Sequence, residues 1–387
     1  MSDTPTKTNR PLDVAPSASF GEFMSSGWTP SNLQGLTPSP AAPWCVERRK
    51  ALSMAFLGVR VILPAGNFKV RSNDSDFRYR PHSAFAYYAG VQGAEATADA
   101  VFILEPTNQG HDALLFINPR STRDTEDFYR NSKYGELWVG RRFTTDEAQQ
   151  RWQIETRKVE SLKEFLADGK ESILLRGQDA AMDALVKVSA REDELAMFVS
   201  AARLIKDAYE VEEMQKACDS TARGFADVVR AFPAAISTPR GERVIEAAFF
   251  GRARVEGNDI GYDTIAASGA HACVLHWNRN DGDVRLGELL LLDAGVERES
   301  YYTADVTRTL PISGKFTPAQ RSLYMLVLEA QKAGFAAVKP GAKFADINVA
   351  CQTVLAHGLA DMGVLQLAPR SLYTLIVDFI SAGLCME

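Results

Sequence analysis

Apolar residues occur in short runs between polar turns through the first half of the chain. The runs lie at residues 60–63 (ended by Pro64), 101–104, 113–117 and 172–175. Segments of four or five mostly apolar residues bounded by turn residues are typical of buried strands. Residues 159–167 have helical spacing instead. This alternation predicts a mixed-sheet α/β domain over residues 44–191.

Helical spacing dominates the second half. Asp207 and Glu210 have the spacing of a capping box, and the apolar stripe that follows them is predicted to end at Pro233. Thr238-Pro239 predicts the start of a second helix. Thr317-Pro318 predicts the start of a third, where Thr317 and Gln320 have the spacing of a second capping box. A fourth helix is predicted over residues 344–363. We therefore expect a second domain at residues 192–387.

Composition limits the class of protein. The net charge of −6 disfavours a nucleic-acid or anionic-membrane partner, and no apolar run is long enough to span a bilayer. The five cysteines are widely spaced, which disfavours a disulfide framework or a thiolate zinc site. Without a signal peptide, a cytoplasmic location is expected. Residues 1–43 are rich in proline, serine and threonine, so we expect a disordered or loosely docked extension.

Two aspartates carry the strongest chemical signal. Asp293 follows four consecutive leucines that predict a short, fully buried strand, and Asp305 lies twelve positions later in a second β-prone run. Neighbouring strands could bring the two carboxylates to one point, as a divalent cation requires. Two simpler explanations remain. Asp293 could begin an ordinary turn, and Asp305 could pair with Arg308.

Several motifs in this order resemble the Xaa-Pro aminopeptidase (aminopeptidase P) family of pita-bread metallopeptidases. Besides the two aspartate segments, they are the stretch from Asp76 to Gly90, the Gly135-Glu-Leu-Trp-Val-Gly-Arg-Arg142 stretch and the Gly269–Trp277 stretch. The resemblance runs from about residue 44 to about residue 367. It implies an α/β (α+β) fold, in which the N-terminal mixed-sheet domain is followed by the first half of a pita-bread metallopeptidase domain.

The family's dinuclear centre, with manganese as the expected metal, has five ligands: two aspartates, one histidine and two glutamates. Asp293 and Asp305 match the aspartates. Beyond Asp305 the only histidine is His357, which lies in a helical pattern and does not resemble the family's histidine motif. The resemblance implies that the chain is C-terminally truncated relative to the family. It implies too that the chain holds two of the five ligands.

His276 is the third candidate. It follows the β-prone run Cys273-Val-Leu275, and its family counterpart lies beside the metals. There the resemblance assigns it to holding the substrate and stabilising charge on the scissile amide, a role that suits the near-neutral pKa of imidazole. From the residues alone, a ring satisfied by a backbone carbonyl is the simpler explanation.

The function that the resemblance implies is metal-dependent release of the N-terminal residue from peptides with proline second. The missing ligands predict that this activity is impaired. The alternatives are a non-catalytic pita-bread module that binds other proteins and a degenerate, truncated gene product. Proline-containing peptides are the expected partners, and assembly into a homo-oligomer is a further hypothesis. The apolar run at residues 372–384 departs from the family and is either an altered end or a closing element of its own.

Overall fold

The computed structural model of the chain describes residues 17–365, and the apolar run at residues 372–384 lies outside them. Among the described residues, the strands are β1 (Arg60–Pro64), β2 (Val70–Ser72), β3 (Ser75–Asp76), β4 (Val101–Thr107), β5 (Gly110–Ile117), β6 (Glu155–Lys158), β7 (Ser172–Leu174), β8 (Asp259–Ile260), β9 (Ile265–Ser268), β10 (Leu289–Ala294), β11 (Val296–Glu297) and β12 (Val306–Pro311).

The helices are α1 (Ala18–Met24), α2 (Ala42–Ala55), α3 (Ser83–Ala89), α4 (Asp127–Arg130), α5 (Glu136–Val139), α6 (Thr145–Trp152), α7 (Leu162–Phe165), α8 (Ala180–Leu185), α9 (Glu192–Ala201), α10 (Ala208–Ser237), α11 (Gly241–Glu256), α12 (Pro318–Ala337) and α13 (Phe344–Asp361). Within residues 17–365, no helix is both long and apolar enough to cross a membrane.

Five strands form a mixed sheet in the order β6-β5-β4-β1-β7. β1 pairs antiparallel with β4 and parallel with β7, while β5 pairs antiparallel with β4 and parallel with β6. Alternate residues face two separate cores, with Val61 and Leu115 in one and Ile62 and Leu114 in the other. Helices α2, α3, α6 and α9 contribute residues to the first core, and α7 and α8 to the second. The predicted α/β fold is confirmed.

Contacts divide the described residues into two compact units. The first contains the described residues up to Arg230 together with Ala247–Thr264 and Asp293–Val306. The second contains Ala231–Glu246, Ile265–Leu292 and the described residues from Thr307 onward. The second unit includes most of a three-stranded sheet in the order β12-β10-β9, and α12 packs against α13.

Both predicted capping boxes are present. The backbone N–H of Glu210 donates to Asp207 and that of Asp207 to Glu210, at 3.0 and 2.9 Å. Thr317 and Gln320 make the same reciprocal pair at the start of α12. Each box satisfies two N–H groups that a helix start leaves without a partner inside the helix.

Four details of the sequence-based prediction are wrong. Pro233 lies inside α10, which continues to Ser237, because the missing N–H removes only one main-chain bond near the helix end. The next helix begins at Gly241 rather than at Thr238, since Arg240 adopts a left-handed φ of 57°, which the interior of a right-handed helix cannot include. Residues 273–275 form the end of a 3₁₀ helix and a turn rather than a strand. β10 is not fully buried, since its residues alternate between buried and half-buried.

From Ser17 onward, the N-terminal extension is docked rather than disordered. Arginine side chains donate to its backbone carbonyls: Arg120 and Arg141 to Ser31, Arg123 to Thr29 and Arg151 to Thr37. Trp28 packs edge-on against Phe128, with ring centroids 5.0 Å apart. Composition could not show these contacts because the donors lie about 90 to 114 positions away along the chain.

Limited proteolysis should leave a fragment near residues 44–190 and accumulate cuts beyond about residue 200. The five-stranded sheet is buried on both faces, whereas Val327 on α12 and Phe335 near its end are 57% and 71% exposed among the described residues. Exposed apolar faces of this kind accompany low local stability.

As a control, Leu115→Ala should abolish the resistant fragment. It removes a fully buried side chain at a cost of about 2–5 kcal/mol. Uniform resistance through the second unit would contradict the expectation and would mean that another segment or a second chain covers α12.

Candidate metal centre

The structure brings Asp293 and Asp305 to one hydroxyl group. Asp293 lies near the end of β10 and is half-buried, while Asp305 is exposed and directly precedes β12. The Tyr262 hydroxyl lies 2.6 Å from Oδ1 of Asp293 and 2.9 Å from Oδ1 of Asp305. Two carboxylate oxygens therefore converge within hydrogen-bond distance of a single atom.

The surroundings of Tyr262 keep its phenol protonated. Burial raises the pKa of Tyr262 above its ordinary value, and the hydrogen bonds to Asp293 and Asp305 raise it further. A phenolate beside two carboxylates would add a third negative charge, so the protonated donor is the favoured state. Sequence reasoning missed this residue, because a tyrosine 31 and 43 positions away from its partners carries no local signal.

A glycine permits the close approach of the two aspartate-bearing segments. A Cβ atom at Gly295 would lie 1.6 Å from the carbonyl oxygen of Ala304, the residue before Asp305. The Gly261 N–H donates to the Gly295 carbonyl at 2.8 Å, which ties in the segment that carries Tyr262. Any side chain at position 295 would push these segments apart.

The ligand set fits part of a divalent-cation site. Carboxylate oxygens are the ligands that hard divalent ions prefer. Residues 17–365, however, contain no group of three or more His, Cys, Asp or Glu side chains that could hold a metal ion. Asp293 and Asp305 are the two candidate ligands, and their converging oxygens are compatible with one shared ion.

His276 lies on an exposed turn of the second unit, after the 3₁₀ helix Gly269–Cys273. Its role remains a prediction. The neighbouring His271, by contrast, is engaged: its Nδ1 lies 2.8 Å from a Glu242 oxygen, and its ring stacks on Trp277 at 3.9 Å.

Glu242 anchors the whole turn. This fully buried carboxylate also accepts hydrogen bonds from the Trp277 indole at 2.8 Å and from the backbone N–H groups of Ser268 and Gly282, at 2.8 and 2.7 Å. Four donors around one buried charge supply the compensation that burial requires. Glu242 is a second residue that sequence reasoning missed, and it fixes both ends of the turn that carries His276.

Comparisons with known proteins add independent findings. Residues 45–173 match the aminopeptidase P N-terminal domain, and residues 212–374 match metallopeptidase family M24. The chain is 47% identical over 375 residues to Xaa-Pro aminopeptidase 1 of Streptomyces coelicolor, covering 94% of this chain and 75% of that protein. It is 45% identical over 354 residues to Xaa-Pro aminopeptidase 2 of the same organism, covering 90% and 74%.

A solved structure is also similar. Zn-substituted aminopeptidase P of E. coli, in complex with product, matches with a TM-score of 0.73 at 25% identity. The match covers 87% of this chain and 77% of that one.

The alkaline titration of Tyr262 should be delayed until the chain unfolds. Its folded-state pKa lies above the ordinary value of 10.0. The stability that it contributes is therefore complete below about pH 10 and is lost as the pH rises toward the folded pKa. Ultraviolet absorbance of tyrosinate should thus be equal for the parent chain and Tyr262→Phe while both remain folded. After alkaline unfolding the variant should show one tyrosinate fewer. A difference of one tyrosinate in the folded range would contradict the shielded phenol.

Proposed function

The chain belongs to the aminopeptidase P family of M24 metallopeptidases, and from this premise we propose that its reaction is release of the N-terminal residue from peptides with proline second. Family membership makes it a metallo-aminopeptidase that uses a divalent metal. The observation that supports the assignment within this chain is the convergence of Asp293 and Asp305 on the Tyr262 hydroxyl. We further propose manganese as the metal, two ions in a complete centre, and a cytoplasmic location.

The proposed roles follow from the chemistry of each side chain. Asp293 and Asp305 would hold the metal through their converging oxygens, and the single Tyr262 hydroxyl proton, shared between them, limits their mutual repulsion. A divalent ion supplies Lewis-acid chemistry at the carbonyl that precedes proline. His276, exposed on its anchored turn, would orient the substrate and donate a hydrogen bond to the scissile amide. A proline amide has no N–H, so recognition must rest on ring shape and on the flanking carbonyls.

We propose also that the 387-residue chain by itself is impaired. Its described residues supply two carboxylates and no third ligand of the usual types, which leaves most coordination positions to water. The same ligand count favours, as a second candidate, a non-catalytic pita-bread module that binds other proteins. Weak metal uptake by the two aspartates supports the impaired enzyme. Absence of any uptake supports the module or a degenerate product.

Manganese binding by the isolated chain should be weak. We expect a dissociation constant of roughly 10⁻⁴ M or weaker, the range of incompletely closed oxygen sites. Isothermal titration calorimetry measures it, with Asp293→Ala expected to remove the signal and Asp361→Ala, at an exposed carboxylate of α13, expected to leave it unchanged. Tight uptake of two ions per chain, lost in Asp293→Ala, would show that other residues complete the centre.

Hydrolysis of a peptide with proline second should proceed at background rate in the presence of manganese. Two carboxylates cannot hold both an attacking water and the substrate carbonyl in reacting geometry. Chromatographic detection of the released N-terminal residue is the measurement. Robust manganese-dependent release that disappears in Asp305→Asn would show that the chain is a competent enzyme.

A further inference from the structure

We infer that Arg78 and Arg80 form an arginine clamp that positions the segments bearing Asp293 and Asp305. The clamp consists of these two arginines and their partners, Asp259 and Glu297. The effect of the clamp on metal binding rests on the proposed function of the two aspartates. The effect of the clamp on the position of the segments is independent of that proposal.

The partners of the clamp are two like charges held face to face. β8 pairs antiparallel with β11, and Asp259 stands directly opposite Glu297 in the register. Like charges opposite each other destabilise a strand pair. The Glu297 side chain is only 7% exposed, so its charge must be compensated within the protein.

Two arginines from the segment between β3 and α3 supply this compensation. Arg80 donates from Nε to Glu297 at 2.7 Å, and Arg78 pairs with Asp259. The two arginines thus reach carboxylates that face each other on adjacent strands. Asn258 makes a further contact, since its side-chain amide donates to Glu297 at 2.8 Å.

The β8–β11 strand pair lies close in sequence or in strand pairing to each of the three site residues. Tyr262 follows Asp259 by three residues, and Asp293 precedes Glu297 by four. Glu297 also makes an antiparallel bridge with Thr303, two residues before Asp305. The segments that carry Tyr262, Asp293 and Asp305 are therefore all connected to β8 and β11. The arginines neutralise the carboxylates of these two strands.

The two arginines should contribute unequally. Arg78 and Asp259 are 46% and 24% exposed, so water screens their interaction and its contribution is small. Arg80 serves a carboxylate that water scarcely reaches. Arg80 is itself 40% exposed, but removing the partner of a buried carboxylate leaves that charge uncompensated, which costs more than removing a partner from an exposed pair. This difference separates the clamp from an ordinary set of surface ion pairs.

The test compares Arg80→Ala, Arg78→Ala and the control Arg71→Ala, an exposed arginine on β2, in the full chain. Hydrogen–deuterium exchange should accelerate by about tenfold or more in Arg80→Ala at the amides of Asn258 and Gly261, which bond to the Glu297 and Gly295 carbonyls. Arg78→Ala should give a smaller change, and Arg71→Ala none. Manganese affinity, followed by water-proton relaxation, should weaken several-fold in the same order.

Two further variants separate positioning from general stability. The charge reversal Arg80→Glu with Glu297→Arg should restore part of the protection and of the manganese affinity. Ile62→Val, a mild change in the core of the five-stranded sheet, should lower the melting temperature without changing either readout. Unchanged exchange at Asn258 and Gly261 in Arg80→Ala would overturn the clamp. Faster exchange with unchanged manganese affinity would overturn its role in the site.

The proposed function can fail separately. If Asp293→Ala leaves manganese affinity unchanged, the two aspartates are not the metal ligands. Exchange at the clamped strands then decides whether the arginines position these segments.

Discussion

Electrostatic repulsion is the constraint on which this site depends. Two carboxylates can converge on one hydroxyl only if the surrounding backbone resists their separation, because like charges a few ångströms apart in a partly buried setting repel strongly. The chain meets the constraint with the protonated Tyr262 phenol between the charges and with the absence of a Cβ at Gly295. The clamp residue Arg80 adds neutralisation one strand away, at Glu297.

The turn that carries His276 depends on the reverse arrangement. There a single buried carboxylate, Glu242, gathers four donors, and the cost of burying its charge is offset only when all four are in place. At Tyr262 one donor lies between two negative charges, whereas at Glu242 four donors surround one negative charge. In both, the groups proposed to touch substrate or metal owe their placement to a residue that is not proposed to touch either.

The elements that could be predicted from sequence are those whose signal is local. Apolar runs marked β1, β4 and β5, and reciprocal polar pairs marked the starts of α10 and α12. Asp293 and Asp305 stood out because carboxylates are unusual beside apolar strands. Tyr262 and Glu242 could not be found in this way, since their partners lie 26 to 43 positions away and no spacing rule links them. The helix end predicted at Pro233 was wrong because a helix tolerates one lost N–H donor near its end.

The docked N-terminal extension has a consequence for how its sequence can change. The extension is held by hydrogen bonds from Arg120, Arg123 and Arg151 to its backbone carbonyls, and every residue type carries a carbonyl. Substitutions at Thr29 or Thr37 therefore keep the carbonyl acceptors in place. A substitution at one of the arginines removes the hydrogen-bond donor. Related chains should be free to diverge along this extension while the arginines that hold it stay fixed. The position of the extension therefore depends on the arginine side chains and not on its own side chains at the bonded positions.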